Sequence, residues 1–173
     1  MTTRDGSPPA RSDAAAIAIP KFVLATIYDH ARATFPDECC GYLVGSQDGA
    51  SVDAAVLCEN AQRDGDHPTH PDRGADTGFV IAGAELLAFA RSFGGDRPAR
   101  VVYHSHTNGR AYFSEVDRGV AASPEGPHYP VQHLVIGVTA EGLTEAAQFA
   151  WSDEVRDFVE LARWAIDIRP PLV

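Results

Sequence analysis

Two histidines, a serine and an aspartate lie close together in the segment VVYHSHTNGRAYFSEVD, residues 101–117. His104 and His106 are two residues apart, so on a strand, where side chains alternate, both imidazoles point to the same face. Ser114 and Asp117 are three residues apart, which places them on one side of a helix. Two imidazoles and a carboxylate suit zinc, and three protein ligands leave the fourth position of a tetrahedral ion open for water. A zinc ion held by these three side chains would therefore be catalytic rather than structural.

Each part of this pattern also has a simpler interpretation. A His-x-His pair at the end of a strand is often ordinary polar surface. Ser114 to Asp117 matches the Ser-x-x-acidic capping box, in which the serine caps the helix that it opens. Because a carboxylate has two oxygens, the cap and a metal site are compatible, and the spacing alone leaves these alternatives open.

The elements that must position these residues alternate between helices and strands. Apolar residues at helical spacing, with Pro and Gly as stops, predict helices over 20–34, 84–93 and 114–122. Apolar runs predict strands at 42–44, 51–58, 101–104, 131–138 and 146–151, with 79–81 as a further short strand. Residues 155–168 fit either a helix or an edge strand. The pattern predicts an α/β fold with a central mixed, largely antiparallel β-sheet flanked by helices.

Two stretches carry no periodic pattern. Residues 1–16 mix small, polar and charged residues, which predicts a disordered N-terminal tail and leaves 17–173 as one domain. Residues 61–76 contain two prolines, two glycines and six charges, which predicts a long loop. Such a loop is either functional or a tolerated surface insertion, and composition does not separate the two.

Composition bounds the class of protein. With 173 residues, of which 45% are hydrophobic, the chain can bury one continuous core. A formal net charge of −10 disfavours nucleic acid and anionic membranes as partners. Three cysteines, two of them adjacent, do not form a disulfide framework, and no segment has the pattern of a signal peptide or membrane span, so we expect a cytoplasmic protein.

The joint pattern His-x-His, seven residues, Ser-x-x-Asp is the signature of the JAMM (MPN-plus) metallopeptidases, and residues 104–117 resemble it without a gap. The likeness extends upstream to FPDECCGYLVG at 35–45, to Asn60 and to residues 77–81, as in small prokaryotic JAB-domain members. It covers roughly residues 20–150. The family usually has proline after the second histidine, whereas this chain has Thr107, which predicts a more mobile loop over 107–113.

The resemblance implies a fold and a set of roles. The fold would be the cytidine-deaminase-like, JAB/MPN type. His104, His106 and Asp117 would hold one Zn²⁺ per chain with a bound water. Glu38 would be the general base that takes a proton from that water and passes it to the leaving amine. Ser114 would donate a hydrogen bond to the oxyanion of the tetrahedral intermediate.

The family cleaves peptide or isopeptide bonds next to the C-terminal Gly-Gly of ubiquitin or ubiquitin-like proteins. Deubiquitinating members have a long insertion after the Ser-x-x-Asp helix, but here the segment 123–130 is short. The chain thus resembles compact bacterial members associated with sulfur-carrier proteins of ubiquitin-like fold. The partner implied is a small carrier ending in Gly-Gly. Whether a peptide extension or an attached amino acid is released, and the oligomeric state, stay open.

Three other classes of function remain as alternatives. A metal-free scaffold of the same fold would lack the ligands, which are present here, and a DNA-related relative fits poorly with the acidic balance. A cysteine hydrolase would use Cys39 or Cys40, although cysteines that lead into an apolar strand are usually buried and inert. His67 and His70 suggest a second metal site only weakly. The other histidines, His30, His128 and His133, are expected in surface or core roles.

Overall fold

The computed structural model describes residues 14–62 and 78–166, which form three helices and eight strands. In chain order these are α1 (Lys21–Thr34), β1 (Cys40–Val44), β2 (Ala54–Cys58), α2 (Gly83–Ser92), β3 (Ala99–His106), α3 (Glu115–Ala121), β4 (Ala122–Ser123), β5 (Gly126–Pro127), β6 (Gln132–Thr139), β7 (Gly142–Ser152) and β8 (Asp157–Ala165).

Six of these strands form one sheet in the order β2-β1-β3-β6-β7-β8. The central pair, β3 and β6, is parallel, and the other neighbouring pairs are antiparallel. Strands β4 and β5 make a separate two-stranded ribbon directly after α3. The predicted α/β class, with a mixed and largely antiparallel central sheet flanked by helices, is confirmed.

The alternation of side chains along the central strands gives the sheet two different faces. On one face, Leu43, Tyr103 and Ile136 are fully buried and pack with Val23 and Ile27 of α1. The opposite face carries two apolar clusters, one built around Phe89 of α2 and one around Phe113. Because His104 and His106 alternate with Tyr103 and Ser105, they lie on this second face.

Most of the predicted elements are confirmed within a few residues of their bounds. The ambiguous segment 155–168 contains β8, which pairs antiparallel with β7 at the edge of the sheet. The strand predicted at 79–81 is wrong, since these residues are irregular. The N–H of Val80 donates to the Asn60 side chain at 3.1 Å, and its carbonyl accepts one bond from Ala61, so no strand ladder forms.

Several expectations concern residues outside the described ranges. These are most of the predicted tail at 1–16, nearly all of the loop at 61–76, and His67 and His70 within it. At the end of the tail, the carbonyl of Ala15 accepts a hydrogen bond from Gln132 of β6 at 2.9 Å. None of the helices in the described ranges is both long and apolar enough to cross a membrane.

Candidate metal centre

The end of β3 and the start of α3 bring together the three predicted metal ligands. His104 and His106 are 0% and 5% exposed, and their Nε2 atoms lie 3.2 Å apart. Asp117, in the first turn of α3, places its Oδ2 3.3 Å from Nε2 of His104 and 3.2 Å from Nε2 of His106. Among the described residues, this is the group of His, Cys, Asp and Glu side chains whose ligand atoms converge closely enough for a metal ion.

The triangle of donor atoms has the dimensions of one face of a zinc tetrahedron. Zinc bonds to nitrogen and oxygen of about 2.0–2.1 Å place neighbouring ligand atoms about 3.3–3.4 Å apart. The three observed distances, 3.2 to 3.3 Å, are close to that spacing. The residues present therefore fit a tetrahedral ion with one further ligand.

The charges at this centre also suit a cation. Burial alone would raise the pKa of Asp117, but the charge and hydrogen bonds of His104 and His106 outweigh it and hold that pKa well below its usual range. Burial also lowers the pKa of His106. The ionised carboxylate and the neutral His106 imidazole offer lone pairs to a metal ion, whereas Asp117 raises the pKa of His104 despite its burial, so a metal ion would compete with a proton for that imidazole.

The capping box at the start of α3 is present together with the metal geometry. The backbone N–H of Asp117 donates to Oγ of Ser114 at 3.0 Å, and the N–H of Ser114 donates to Oδ2 of Asp117 at 2.9 Å. The same oxygen, Oδ2, faces both histidines. The cap thus fixes the carboxylate that points at the centre, so the two interpretations of this tetrapeptide describe one arrangement.

The two histidines differ in what holds their other ring nitrogen. Nδ1 of His106 lies 3.2 Å from the carbonyl of Arg110, which can accept its proton. Nδ1 of His104 is buried and has no hydrogen-bond partner among the described residues. Its ring stacks instead on Phe79, with 4.5 Å between the ring centroids.

Glu38 and Ser114 line the same cleft as the three ligands. Glu38 is 6% exposed and lies two residues before β1. Asn60 holds its backbone, because the side-chain amide donates to the carbonyl of Glu38 at 2.9 Å and to that of Gly78 at 2.8 Å. The structure thus brings all five predicted site residues to one place.

Beyond the centre, the cleft is apolar and has a volume of about 440 Å³. Its walls come from the irregular segment 79–81, from α2 and from α3, and include Leu86, Val120 and Tyr129, which are 39–44% exposed. A cleft of this kind holds a substrate through shape and apolar contact, with the polar chemistry confined to one end.

His133 also belongs to this cleft, although the sequence predicts only a surface or core role for it. It lies on β6 beside β3, buried between Phe113 and Phe158, and it lines the cleft wall. Burial, reinforced by the neighbouring charge on His104, lowers its pKa to about 3, so it is neutral at physiological pH. His133 and Val135 are two residues apart on β6, so their side chains lie on the same face of the sheet. Val135 pairs with His104, so this spacing indicates the position of His133 only once β6 is known to pair with β3.

The three cysteines are free and buried. Burial raises the pKa of Cys39 and of Cys58 to about 12, and that of Cys40 further still. Thiols held protonated in this way are poor nucleophiles. The geometry therefore gives no support to the cysteine hydrolase alternative.

Comparisons with known proteins found similar sequences. Over 101 residues the chain is 32% identical to proteins named CysO-cysteine peptidase from Mycobacterium tuberculosis and Mycobacterium bovis. The match covers 58% of this chain and 61% of those relatives, so the chain spans about three fifths of the length of the curated relatives it matches.

Two solved structures share the fold. A solution structure from Desulfitobacterium hafniense has a TM-score of 0.55 at 22% identity, covering 82% of this chain and 87% of the other. A second, from Salinibacter ruber, has a TM-score of 0.51 at 23% identity, covering 88% and 91%.

The family follows from a match that spans most of the domain. Residues 20–152, from the start of α1 to the end of β7, match the family Prok-JAB, described as prokaryotic homologs of the JAB domain. That range includes Glu38, Ser114 and the three converging ligands. The chain belongs to the prokaryotic JAB-domain family.

Proposed function

We propose that this protein is a zinc-dependent peptidase that hydrolyses the bond after the C-terminal Gly-Gly of a small ubiquitin-like, sulfur-carrier protein. The observation that carries the proposal is the convergence of Nε2 of His104, Nε2 of His106 and Oδ2 of Asp117 at one end of an apolar cleft. Membership of the family and the similarity to proteins named as peptidases support the reaction.

In this proposal the three ligands hold one zinc ion per chain. A bound zinc would supply Lewis acidity, which lowers the pKa of water and polarises a carbonyl. Glu38, buried in the cleft wall, accepts the proton of the attacking water and delivers it to the leaving amine. Oγ of Ser114 accepts a hydrogen bond from the N–H of Asp117. The hydroxyl proton of Ser114 then donates a hydrogen bond to the oxyanion.

The choice of substrate rests on the shape of the cleft. The scissile carbonyl must reach the end of the cleft where the three ligands lie, between bulky side chains. Glycine has no side chain, so a Gly-Gly tail needs the least space beside Phe79 and Phe113, which line the cleft. The backbone of an extended tail also offers hydrogen bonds to the chain that lines the cleft. The segment 79–81 remains a wall of the cleft although it is not a strand.

The proposal is tested with a carrier protein that has a few extra residues fused after its Gly-Gly. The wild-type protein should release the extension, as detected by mass spectrometry. Glu38→Gln should retain zinc, because the ligands are untouched, but lose about 10²–10⁴-fold in turnover, because an amide cannot accept the proton. Glu154→Gln, at an exposed position away from the cleft, is the matched control and should cleave normally.

The same assay separates the reaction from its substrate. Replacing Gly-Gly by Ala-Ala should sharply reduce cleavage. Equal cleavage of both fusions would contradict the tail hypothesis but leave the peptidase proposal intact. Full activity of Glu38→Gln would contradict the assignment of the base.

A further inference from the structure

The loop 107–113 joins the second histidine to α3 and must place the Arg110 carbonyl in front of Nδ1 of His106. Thr107 does not stiffen this loop as a proline would, and the sequence alone predicted mobility. In the structure, side chains of β7 and β8 hold the loop at Gly109 and Ala111. The hydroxyl of Thr144 donates to the carbonyl of Gly109 at 2.6 Å.

One peptide unit of the loop is held from both sides. The carbonyl of Arg110 and the N–H of Ala111 belong to the same planar peptide and point in opposite directions. The carbonyl faces Nδ1 of His106 at 3.2 Å, and the N–H donates to Oε1 of Glu145 at 3.0 Å. The carboxylate of Glu145 therefore sets the orientation of the group that orients His106.

Glu145 is itself held in place. Its Oε2 accepts from Arg163 of β8 at 2.7 Å, and Arg163 also donates to the carbonyl of Ala111 at 2.6 Å. The pKa of Glu145 is lowered mainly by the hydrogen bond from the N–H of Ala111 and also by that from Arg163, so the carboxylate is ionised at neutral pH. A negative charge at the N–H end of a peptide makes the carbonyl at its other end a stronger acceptor.

We propose that Glu145 is a positioning residue for the metal centre, acting through the Arg110–Ala111 peptide on His106. Partners that orient a ligating histidine fix its tautomer and raise its basicity, and their removal typically costs about 10–100-fold in metal affinity. Here the partner is a backbone carbonyl, and the carboxylate of Glu145 on β7 stabilises it through the N–H at the other end of the same peptide. The inference rests on the zinc site of the proposed function.

The experiment measures the zinc dissociation constant by competition with a chromophoric chelator. Glu145→Ala should weaken zinc binding about 10–100-fold. Glu145→Gln keeps a neutral acceptor for the N–H of Ala111 and should lose less. Glu160→Ala is the matched control, because Glu160 pairs with the same Arg163 at 2.6 Å and no described contact joins it to the loop. The zinc affinity of Glu160→Ala should equal that of the wild-type protein.

A second measurement separates positioning from general stability. Ile27→Val truncates the core on the opposite face of the sheet, where it should lower stability and leave zinc affinity unchanged. If Glu145→Ala and Glu160→Ala weaken binding equally, or if Ile27→Val weakens it as much, the positioning role is overturned. If wild type binds zinc and both Glu145 variants bind it equally well, only this role fails. If wild type binds none, the proposed function fails with it.

Discussion

His133 and His106 lie on the same face of the sheet but differ in their neighbours. His106 meets a carboxylate and a carbonyl, whereas His133 is packed among aromatic rings. The type and spacing of residues in one segment predict the first environment, because His104, His106 and Asp117 are close in sequence. They cannot predict the second, because Phe113 and Phe158 reach His133 from distant parts of the chain.

The burial of His133 has a consequence for stability at low pH. Unfolded, the imidazole takes up a proton near its ordinary pKa of 6.5, whereas the folded protein holds that pKa at about 3. Between these values the unfolded state binds more protons. The free energy of unfolding therefore falls as pH is lowered from 6.5 towards 3, by up to about 1.4 kcal/mol per pH unit from this group.

His133→Leu should remove that contribution. Urea unfolding between pH 4 and 7, with a chelator present to exclude metal effects, should show a shallower decline for the variant than for wild type. The same substitution at exposed His128 controls for the loss of a histidine as such. Parallel curves for wild type and His133→Leu would show that folding does not hold this group neutral.

At the scale of elements, the sequence predicts best where one local pattern decides the structure. The helix at Lys21–Thr34 has a regular apolar face and was predicted almost to the residue. The segment at 155–168 fits two patterns, and its choice of strand depends on pairing with β7 across the whole of β8. The segment 79–81 has the composition of a strand but no partner strand. The N–H of Val80 donates to the Asn60 side chain instead of to a neighbouring strand.

The contact between the loop 107–113 and the sheet requires a glycine on β6. A Cβ at Gly137 would lie 2.6 Å from the carbonyl oxygen of Gly109 and 2.5 Å from Oγ1 of Thr144. The register of β6 and β7 also shifts at this point, between Ile136 and Val138. The backbone carbonyl cannot rotate away as a side chain can, so any side chain at 137 must push the loop off the sheet.

Gly137→Ala should therefore destabilise the protein by about 1–3 kcal/mol, as overpacking does, and weaken zinc binding. Gly119→Ala is the matched control, because a Cβ there meets no atom within 4 Å from the described residues outside its own helix, and alanine favours the helix by about 1 kcal/mol. Denaturant unfolding and zinc competition report the two effects. A Gly137→Ala variant as stable as Gly119→Ala would show that the loop does not need this close approach.

At the scale of the molecule, the apolar cluster under α1 and the metal centre lie on opposite faces of the sheet. The cluster under α1 contains Leu43, Tyr103 and Ile136 but none of the three ligands, and it lies on the face of the sheet opposite to them. A domain of 173 residues has enough buried apolar surface to fold on such a core without help from a metal. Zinc at this centre should thus stabilise a structure that already exists.

Removing the metal should therefore lower the melting temperature without unfolding the protein. An ion that binds only the folded state stabilises it by RT ln(1 + [L]/Kd), which is about 4 kcal/mol at a thousandfold excess over Kd. For a chain of this size, each kcal/mol corresponds to about 2–4 °C. Calorimetry of the zinc-loaded protein before and after chelation should show that shift, while far-ultraviolet circular dichroism at 25 °C stays unchanged.

In His106→Ala the chelator should have little effect, because a ligand is missing. Loss of the dichroism signal on chelation would mean that the metal is structural, and an unchanged melting temperature in wild type would mean that these three side chains bind no ion.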